Sequence, residues 1–285
     1  MKLCVDLGAT NIKVGLIEGG AVIRSASRPT VTDCGREGVV SSLKNAIDCL
    51  YHGAEDAVSA ICISSAGTID VKTGTVIYAT DNLPGYTGFC ITDWVKQTYG
   101  LPSVAVNDGH AALLGELLLS EEYRTERVAM LTLGSGVGGA YAEYGELVAN
   151  EQNNYALFGH LPIAEGGIPC NCGRIGCMEQ YLSGRAINRL AAEHGIKKDT
   201  VFDLFLQGDA AAARVVERLK GYLLRAIEAV SAVNPFDTLI LGGGAADGMG
   251  EAFSYFAEGM PCKVRKARAG NAAGMLGAYY LGRNL

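Results

Sequence analysis

The feature that most constrains the fold is a strand–glycine loop–strand pattern that occurs twice along the chain. Residues 2–6 and 12–17 have the alternating apolar and β-branched character of strands, a glycine-containing turn separates them, and a third strand is predicted near 21–27. The strands predicted at 127–133 and 138–143 flank a second glycine loop in the same way. Because the pattern restarts after about residue 125, we expect two similar halves.

The rest of the chain alternates between helical and strand-like spacing. Helices are predicted at 36–52, 90–98, 111–119, 179–232 (with turns near 195 and 208) and 272–281, further strands at 60–63, 103–106 and 238–241, and an irregular, cysteine-bearing segment over 150–177. Strands that alternate with helices are typical of α/β folds. The sequence therefore predicts an α/β protein with mixed sheets flanked by helices, two lobes with a boundary near 107–125, and a ligand cleft between the lobes.

Composition excludes several classes of protein. Of the 285 residues, 49% are apolar and 19% charged, which is too apolar for a disordered chain, and the net charge of −6 argues against a nucleic-acid-binding surface. The N-terminus lacks the apolar core of a signal peptide, and no stretch reaches the roughly 18 apolar residues of a membrane span. Nine cysteines without an export signal indicate thiols or metal ligands. We therefore expect a cytoplasmic protein without a nucleic-acid or membrane partner.

The first glycine motif is DLGATN at residues 6–11, between the first two predicted strands. Backbone N–H groups and the Thr10 hydroxyl at this spacing can approach phosphate oxygens, while Asp6 can hold a hydrated Mg²⁺. For the motif alone, an ordinary hairpin turn is an equally good interpretation. A Walker loop is excluded because the sequence contains no GxxxxGK[ST].

The second glycine motif is GSGVGG at residues 134–139, again between two predicted strands. Its four glycines remove the Cβ atoms that would keep the backbone away from a polyphosphate. An isolated glycine cluster is a weak signal. Together with the first motif, it predicts a matched pair of phosphate-binding loops.

A third motif, NDGH at residues 107–110, follows the strand-like sequence SVAV and precedes a predicted helix. A carboxylate at a strand end is well placed to accept a hydroxyl proton, so Asp108 is a candidate general base. The alternative is an aspartate that caps the helix, which is the more common role at such a position. We interpret His110 as structural.

Three cysteines are crowded into residues 170–177, a short distance after a histidine. The set His160, Cys170, Cys172 and Cys177 supplies one imidazole and three thiolates, which are the ligands of a closed tetrahedral zinc site. A fully coordinated ion leaves no position for water, so we expect a structural Zn²⁺ rather than a catalytic one. Clustered free cysteines are the alternative.

A buried strand near the C-terminal end, LIL at 239–241, runs into three consecutive glycines. Such a turn lets a flat ring or a sugar hydroxyl lie against the backbone, and a nucleoside fits that surface. A tight turn imposed by packing is the alternative.

Taken together, the motifs resemble the ROK family of repressors and sugar kinases, within the actin/hexokinase/heat-shock-70 ATPase superfamily. The resemblance runs in order along almost the whole chain: DLGATN, SSAGTID, DNLPGY, VNDGHAALLGE, LTLGSGVGGA, GHLPI, CNCGRIGCMEQYLSG, NPFDTLILGGG and AAGMLGA. The cysteine element CxCGxxGCxE is the most specific of these. The resemblance implies a two-lobed actin-like (ribonuclease H-like) fold and ATP-dependent phosphorylation of a hexose, usually on its 6-hydroxyl.

The resemblance also implies roles for individual residues. Asp108 matches the base that deprotonates the attacking hydroxyl. The implied sugar ligands are Asn82, Asn107, His160 and Glu179, with His160 also on zinc. The residues implied for ATP with Mg²⁺ are Asp6, Gly8, Thr10, Asn11, Gly134, Ser135 and Gly136 at the triphosphate and Gly243 and Gly244 at the adenosine.

The implied lobes are a small N-terminal lobe over 1–107, joined by a C-terminal helix at about 270–285, and a larger lobe over 108–269 that carries the zinc loop. The resemblance suggests a homodimer whose small-molecule ligands are a sugar and ATP.

One departure from the family pattern concerns the substrate. The family usually has Glu-x-Gly-His before the zinc loop, whereas this chain has Leu157 in the place of the glutamate. That glutamate normally binds hydroxyls on the reducing side of the sugar, and a hydroxyl that loses its partner costs about 1–3 kcal/mol. We therefore expect a sugar with an apolar or substituted group at this position, or poor affinity for glucose.

The alternative function is a non-catalytic sugar-binding regulator or sensor of the same family. Repressor members carry a helix-turn-helix segment before the first phosphate motif, and we expect none where the motif begins at Asp6. The presence of Asp108 and of both glycine loops favours a kinase. Because Leu157 replaces the usual glutamate, a non-catalytic sugar sensor remains the alternative.

Overall fold

The strands of the structure form two five-stranded sheets and a small hairpin. The structure is a computed structural model that describes residues 1–148 and 154–285, so the predicted irregular residues 150–153 lie outside the described residues. The strands are β1 (Lys2–Leu7), β2 (Asn11–Glu18), β3 (Ala21–Pro29), β4 (Ile61–Ser65), β5 (Thr68–Asp70), β6 (Thr75–Tyr78), β7 (Ser103–Asn107), β8 (Arg127–Leu133), β9 (Val137–Glu143), β10 (Glu146–Leu147), β11 (Thr238–Gly242) and β12 (Lys263–Lys266).

The helices connect the strands and cover the sheets. They are α1 (Gly35–Tyr51), α2 (Ile91–Tyr99), α3 (Asp108–Leu119), α4 (Glu179–Leu182), α5 (Gly184–Glu193), α6 (Val201–Leu206), α7 (Ala210–Val233), α8 (Gly244–Gly248), α9 (Phe253–Ala257) and α10 (Ala273–Leu281). The chain divides into unit 1, which contains Met1–Glu121 and Asn271–Leu285, and unit 2, which contains Glu122–Val148 and Asn154–Gly270.

The five-stranded sheets of the two units have the same topology. In unit 1 the order is β3-β2-β1-β4-β7, with β1, β2 and β3 antiparallel and β1, β4 and β7 parallel. In unit 2 the order is β10-β9-β8-β11-β12, with β8, β9 and β10 antiparallel and β8, β11 and β12 parallel. The predicted similar halves are confirmed, and the two glycine loops occupy equivalent turns.

Helix α3 packs on α10 through small residues. A Cβ on Gly277 would overlap the Ala111 carbonyl oxygen, and a Cβ on Gly115 would lie 2.9 Å from the Ala273 carbonyl oxygen. Glycine at both positions lets the helix backbones approach closely. This packing places α3 in unit 1, whereas the sequence-based division begins the larger lobe at residue 108.

The predicted strands and helices recur in the structure, together with short elements that the pattern does not reveal. These include β5, β6, β10 and β12. In β12 only Val264 is buried, and in β6 only Val76 is buried. Strands this short and exposed lack the run of alternating apolar residues that identifies a half-buried strand.

Each unit has its own apolar core. Leu3, Val5 and Ile63 on the sheet and Leu43 and Ile47 on α1 belong to the core of unit 1. In unit 2 the core lies between the sheet and helices α5–α7. Within the described ranges, none of the helices has the length and apolar character needed to cross a bilayer.

Candidate active site

The carboxyl ends of the parallel strands in unit 1 bring several polar side chains together. Ser64 Oγ donates to Asp6 Oδ1 at 3.0 Å, and Lys13 Nζ lies 3.7 Å from Asp6 Oδ2. On α10, a Cβ at Gly274 would overlap the Asp6 carboxylate. Groups from β2, β4 and α10 therefore hold Asp6 in place beside the first glycine loop.

Asp108 is the first residue of α3, directly after β7, and its side chain is exposed. The Gly109 N–H donates to Asp108 Oδ1 at 2.8 Å and Asn107 Nδ2 donates to the same oxygen at 2.9 Å. Among the described residues, no hydrogen bond reaches Oδ2. The surrounding protein removes part of the water around the carboxylate, and this desolvation, together with the nearby Asp6 carboxylate, raises the pKa of Asp108 despite the two hydrogen bonds. A carboxylate of raised basicity with one free oxygen is suited to accept a proton.

Asn107 is the N-cap of α3, so the alternative of a capping aspartate at residue 108 is wrong. Asn107 Oδ1 accepts from the N–H groups of Gly109 at 2.9 Å and His110 at 3.3 Å. Its Nδ2 donates to the Gly67 carbonyl at 2.7 Å and to Asp108. These bonds use both donors and both acceptor sites of the amide. A sugar hydroxyl would have to displace one of them to reach Asn107.

Both glycine motifs form tight hairpin turns that leave backbone donors free. The Gly8 N–H donates to the Asn11 carbonyl at 3.0 Å, and the Gly134 N–H donates to the Gly136 carbonyl at 2.9 Å. Within these two turns, the N–H groups of Ala9, Thr10, Ser135 and Gly136 have no hydrogen-bond partner in the described chain. Successive free N–H groups in a turn form an anion-binding surface, so the hairpin geometry is compatible with phosphate binding.

In unit 2 the glycines after β8 and β11 lie at the same edge of the sheet. Gly243 has a φ of 86°, and a Cβ there would lie 2.7 Å from the Leu133 carbonyl oxygen, so its glycine is required by packing. A Cβ on Gly244 would meet no atom within 4 Å, and one on Gly134 would meet only the Gly136 carbonyl at 4.0 Å. The space beside Gly134 and Gly244 is open to a ligand.

Arg185, on α5, is a residue at this edge that sequence reasoning missed. Its Nε donates to the Ser135 carbonyl at 2.7 Å, and the Gly184 N–H donates to the Gly134 carbonyl at 2.7 Å. Ser183 caps the helix through a 3.2 Å hydrogen bond from the Ala186 N–H. A cation in the first turn opposes the helix dipole, and this unfavourable placement is the sequence signal that could have identified Arg185.

Glu179, at the start of α4, reaches the second glycine loop from the side. Its Oε2 accepts from the Val137 N–H at 3.1 Å, and its Oε1 lies 3.9 Å from Arg185 Nη2. A Cβ on Gly136 would overlap the Glu179 carboxylate, so glycine at this position makes room for it. The loop and Glu179 therefore form one local assembly in unit 2.

The predicted zinc ligands come together in unit 2. The ligand atoms of His160, Cys170, Cys172 and Cys177 all lie within 4.8 Å of one another. Cys170 Sγ is 3.7 Å from His160 Nδ1, and Cys172 Sγ is 3.6 Å from Cys177 Sγ. Ligands of a tetrahedral zinc ion lie about 3.5–3.8 Å apart, so the donor set and its spacing fit Zn²⁺.

The electrostatics of the cluster also fit a bound cation. Burial, with the hydrogen bonds to the neighbouring thiols of Cys172 and Cys170, raises the pKa of Cys177 to about 12. Three crowded thiols cannot all ionise at neutral pH without a compensating positive charge. A metal ion supplies that charge by replacing the thiol protons.

Two predicted residues lie on exposed parts of the chain. Asn82 is exposed in the segment between β6 and α2, and no hydrogen bond in the described chain joins it to the other predicted residues. Leu157 lies in a short 3₁₀ helix, Asn154–His160, and is 49% exposed. In that helix a Cβ on Gly159 would overlap the Val137 carbonyl oxygen, so the segment packs tightly against β9.

The chain is similar to known proteins in both sequence and fold. A sequence model described as the ROK family matches residues 2–284. A glucokinase from Thermotoga maritima is 31% identical over 260 residues, which cover 84% of this chain and 80% of the relative. An N-acetylmannosamine kinase from Yersinia pestis (strain Pestoides F) is 28% identical over 285 residues, 97% of this chain and 96% of the relative. The crystal structure of a ROK family glucokinase from Streptomyces griseus in complex with glucose and AMPPNP has a TM-score of 0.75 and 27% identity, covering 100% of this chain and 99% of that chain. The predicted fold class is confirmed.

Proposed function

Because the chain belongs to the ROK family, we propose that it is an ATP-dependent carbohydrate kinase that phosphorylates a hexose or hexose derivative at its 6-hydroxyl. The similarity to proteins named glucokinase and N-acetylmannosamine kinase supports the class of reaction. The single observation that carries the proposal is the environment of Asp108, which holds one carboxylate oxygen by hydrogen bonds and leaves the other free.

Asp108 is the general base of the proposed reaction. Its Oδ2 accepts the proton of the sugar hydroxyl while that oxygen forms a bond to the γ-phosphorus and the bond from this phosphorus to the β–γ bridging oxygen breaks, which releases ADP. The raised pKa of Asp108 makes it a stronger base than an ordinary aspartate. Asn107 and Gly109 fix the carboxylate through its other oxygen.

The ATP site uses the free amides of the two glycine loops. We assign the triphosphate to Gly8, Thr10, Asn11, Gly134, Ser135 and Gly136, and the adenosine to Gly243 and Gly244. Asp6 provides a carboxylate for Mg²⁺, which usually binds one or two carboxylates together with substrate phosphates. When bound, Mg²⁺ neutralises charge on the transferring phosphoryl group. Arg185, which holds the Ser135 carbonyl, positions the second loop.

The sugar site combines carboxylate, amide and imidazole groups. We assign the sugar ligands to Asn82, Asn107, Glu179 and His160. The Nδ1 of His160 faces Cys170 and is the proposed zinc ligand, so Nε2 is the nitrogen left for a sugar hydroxyl. A structural Zn²⁺ would then fix the tautomer of the imidazole. We also propose a homodimer, and a cytoplasmic location where ATP is available and the nine unpaired cysteines stay reduced.

A panel of acceptors tests the proposal. We expect ADP release in the presence of ATP, Mg²⁺ and one or more of hexoses, N-acetylhexosamines, ketoses and glucosides, with phosphorus NMR of the product locating the new ester at C6. The sugar without ATP serves as the blank. Sugar binding without turnover across the panel would contradict the kinase and support the regulator.

The position of Leu157 predicts the specificity of the enzyme. A Leu157→Glu variant supplies an acceptor for hydroxyls on the reducing side of the sugar, so we expect its kcat/KM for free glucose to rise by about 10-fold, since a restored hydrogen bond is worth about 1–3 kcal/mol. The measurement is the kcat/KM ratio for glucose and the preferred sugar of the panel.

The matched control for this change is Leu206→Glu. Leu206 is exposed to a similar degree, 51%, and lies on α6, which carries none of the proposed ligands. It adds the same charge to the same unit without placing it in the sugar site. An equal rise in both variants, or no rise in either, would show that residue 157 does not face the sugar.

A further inference from the structure

An arginine at the start of α1 is bonded to a distant loop of the same unit. Arg36 Nε donates to the Gly85 carbonyl at 2.6 Å, and Arg36 Nη2 donates to the Thr87 carbonyl at 2.8 Å. Both carbonyls belong to residues 82–88, which lie between β6 and α2 and which we call the 82–88 segment. Because the guanidinium is planar and rigid, two bonds from this one side chain fix both the position and the orientation of the segment.

Neither the helix nor an ion pair accounts for this arginine. Arg36 is the second residue of α1, where a cation opposes the helix dipole. Its side chain is exposed, and it takes part in none of the ion pairs of residues 1–148 and 154–285. The two bonds to the 82–88 segment are the interactions that explain its placement.

The 82–88 segment is held from two sides. Leu83 and Tyr86 are 3% and 0% exposed and belong to the core of unit 1. Gly85 has a φ of 69° and lies against the start of α1, since a Cβ there would be 3.5 Å from the Arg36 backbone nitrogen. Asn82, directly before Leu83, is exposed. The core and Arg36 therefore fix the segment and leave Asn82 accessible to a ligand.

The other end of the segment is connected to the candidate base. Thr87 Oγ1 accepts from the Ala79 N–H at 3.0 Å. A Cβ on Gly67 would lie 3.6 Å from Ala79 Cα, so these two stretches of backbone are in contact. The Gly67 carbonyl accepts from Asn107 Nδ2 at 2.7 Å, and the same nitrogen donates to Asp108. A continuous set of contacts within unit 1 therefore joins the segment to the Asp108 carboxylate.

We propose that Arg36 is a positioning residue for the sugar, because it holds the 82–88 segment so that Asn82 meets a sugar hydroxyl at a fixed place relative to Asp108. This inference rests on the proposed function, in which Asn82 is a sugar ligand. Arg36 itself does not touch the sugar. Without its guanidinium, the turn at Gly85 loses its support from α1, and the cost of ordering the segment is added to the free energy of sugar binding.

The split between KM and kcat tests this role. Arg36→Ala should raise the KM for the preferred sugar by about 10-fold, as expected for the loss of two hydrogen bonds from an exposed cation, and leave kcat and the KM for ATP within about twofold. Arg36→Lys keeps the charge but reaches one carbonyl at a time, so its KM should be intermediate. Arg24→Ala removes an exposed arginine from β3 of the same unit and is the matched control with an unchanged KM.

A double-mutant cycle with Asn82 separates positioning from a general structural effect. Asn82→Ala alone should raise the KM for the sugar by about 10-fold, because a hydrogen bond to the sugar is lost. Since Arg36 acts by placing Asn82, adding Arg36→Ala to Asn82→Ala should raise this KM further by less than about threefold. Amide hydrogen exchange of Arg36→Ala should be faster over residues 83–89 and unchanged over β1 and β2.

The outcomes separate this role from the kinase reaction itself. An active Arg36→Ala enzyme with a sugar KM within about twofold of the wild type, or a rise of about 10-fold that persists in the Asn82→Ala background, overturns the positioning role and leaves the kinase standing. An unchanged KM in Asn82→Ala does the same, because the segment then carries no sugar ligand.

Titration calorimetry extends the test to a chain without turnover. If the chain binds a sugar of the panel but does not phosphorylate it, the kinase proposal fails, and the sugar Kd should show the same rise of about 10-fold in Arg36→Ala and the same lack of additivity. A sugar Kd that Arg36→Ala leaves unchanged, or a chain that binds no sugar at all, overturns the positioning role. Thermal unfolding of every variant verifies that it is folded.

Discussion

An Asp108→Asn enzyme should form ADP with a sugar-dependent kcat lower by about 10²–10⁴-fold, the usual contribution of a general base. The Kd of the sugar should stay within about threefold of the wild-type value, because the interaction that is lost is made only as the proton moves. Steady-state ADP release measures the rate, and titration calorimetry with the preferred sugar measures binding.

The local geometry makes asparagine a conservative replacement. Its amide oxygen can still accept from the Gly109 N–H, as Asp108 Oδ1 does at 2.8 Å. The substitution removes the basic Oδ2, the carboxylate oxygen that accepts no hydrogen bond from the described residues. The variant therefore separates the chemistry of residue 108 from its contribution to the start of α3.

The melting temperature of Asp108→Asn gives a second, independent measurement, and the direction of its change can be predicted. Because desolvation raises the folded-state pKa of Asp108 above its unfolded-state value, the ionised carboxylate destabilises the folded protein as the pH rises above the unfolded-state pKa, and this cost is complete above the folded-state pKa. Replacing it by a neutral residue removes this cost at neutral pH. We expect a melting temperature equal to or above that of the wild type, so a loss of activity cannot come from unfolding.

Asp56→Asn is the matched control, since Asp56 is an exposed aspartate in a 3₁₀ turn of unit 1. It should keep wild-type kcat and sugar affinity. Turnover of Asp108→Asn within a few-fold of the control would remove Asp108 from the role of base and require another proton acceptor.

The hairpins and the sheet order show what the sequence predicts well. Strands β1, β2, β8 and β9 are short, almost continuously buried runs of mainly apolar residues, and each pair flanks a glycine turn, so the repeated pattern revealed two equivalent halves. The cysteine cluster was predictable for a different reason. Three cysteines and a histidine at this spacing are typical of zinc sites and have few other uses.

Neighbouring polar residues are harder to assign from the sequence. Both Asn107 and Asp108 are good N-cap residues, and only the backbone conformation decides which of them begins the helix. Asn107 takes the extended conformation of a cap, with φ −63° and ψ 147°, and this leaves the Asp108 side chain outside the cap. The structural role therefore falls to Asn107, and the more common interpretation of Asp108 fails.

Contacts between distant segments were beyond prediction. The hydrogen bond between the Val137 N–H and Glu179 joins residues 42 positions apart, and that between Arg185 and the Ser135 carbonyl joins residues 50 apart. No periodicity encodes such pairs, because they depend on how α4 and α5 pack against the β8–β9 hairpin. The sequence predicted the loop but not the side chains that shape it.

The second large effect is expected at the zinc site. Freshly purified protein should contain about one zinc per chain by elemental analysis, as a closed site with four ligands implies. A Cys177→Ser variant should contain little zinc and lose several kcal/mol of stability, a fraction of the binding energy measured in small zinc peptides. For a chain of this size we expect a melting temperature lower by about 10 °C.

The destabilisation should be local because the cluster pins a segment with little regular structure. Isolated bridges join Pro162 to Cys177 and Pro169 to Ile175, and the Met178 N–H donates to the Leu161 carbonyl at 2.9 Å. We expect these and the other backbone hydrogen bonds of the loop to repay only part of the conformational entropy of ordering it without the metal. Hydrogen exchange should therefore accelerate over residues 160–178 and stay unchanged over β1 and β2.

Loss of the metal should also weaken sugar binding, since Glu179 lies two residues after Cys177 and His160 is a proposed ligand of both zinc and sugar. We expect the KM for the sugar to rise more than kcat falls, because Asp108 in unit 1 keeps its own hydrogen bonds. Cys34→Ser is the control: Cys34 is an exposed thiol before α1, and the variant should keep zinc, stability and KM. Zinc retained in full by Cys177→Ser would remove Cys177 from the ligand set. Wild-type protein that folds and turns over with ATP and Mg²⁺ but contains no zinc would mean that the four side chains are clustered free cysteines and a histidine. The alternative left open by the sequence would then be correct.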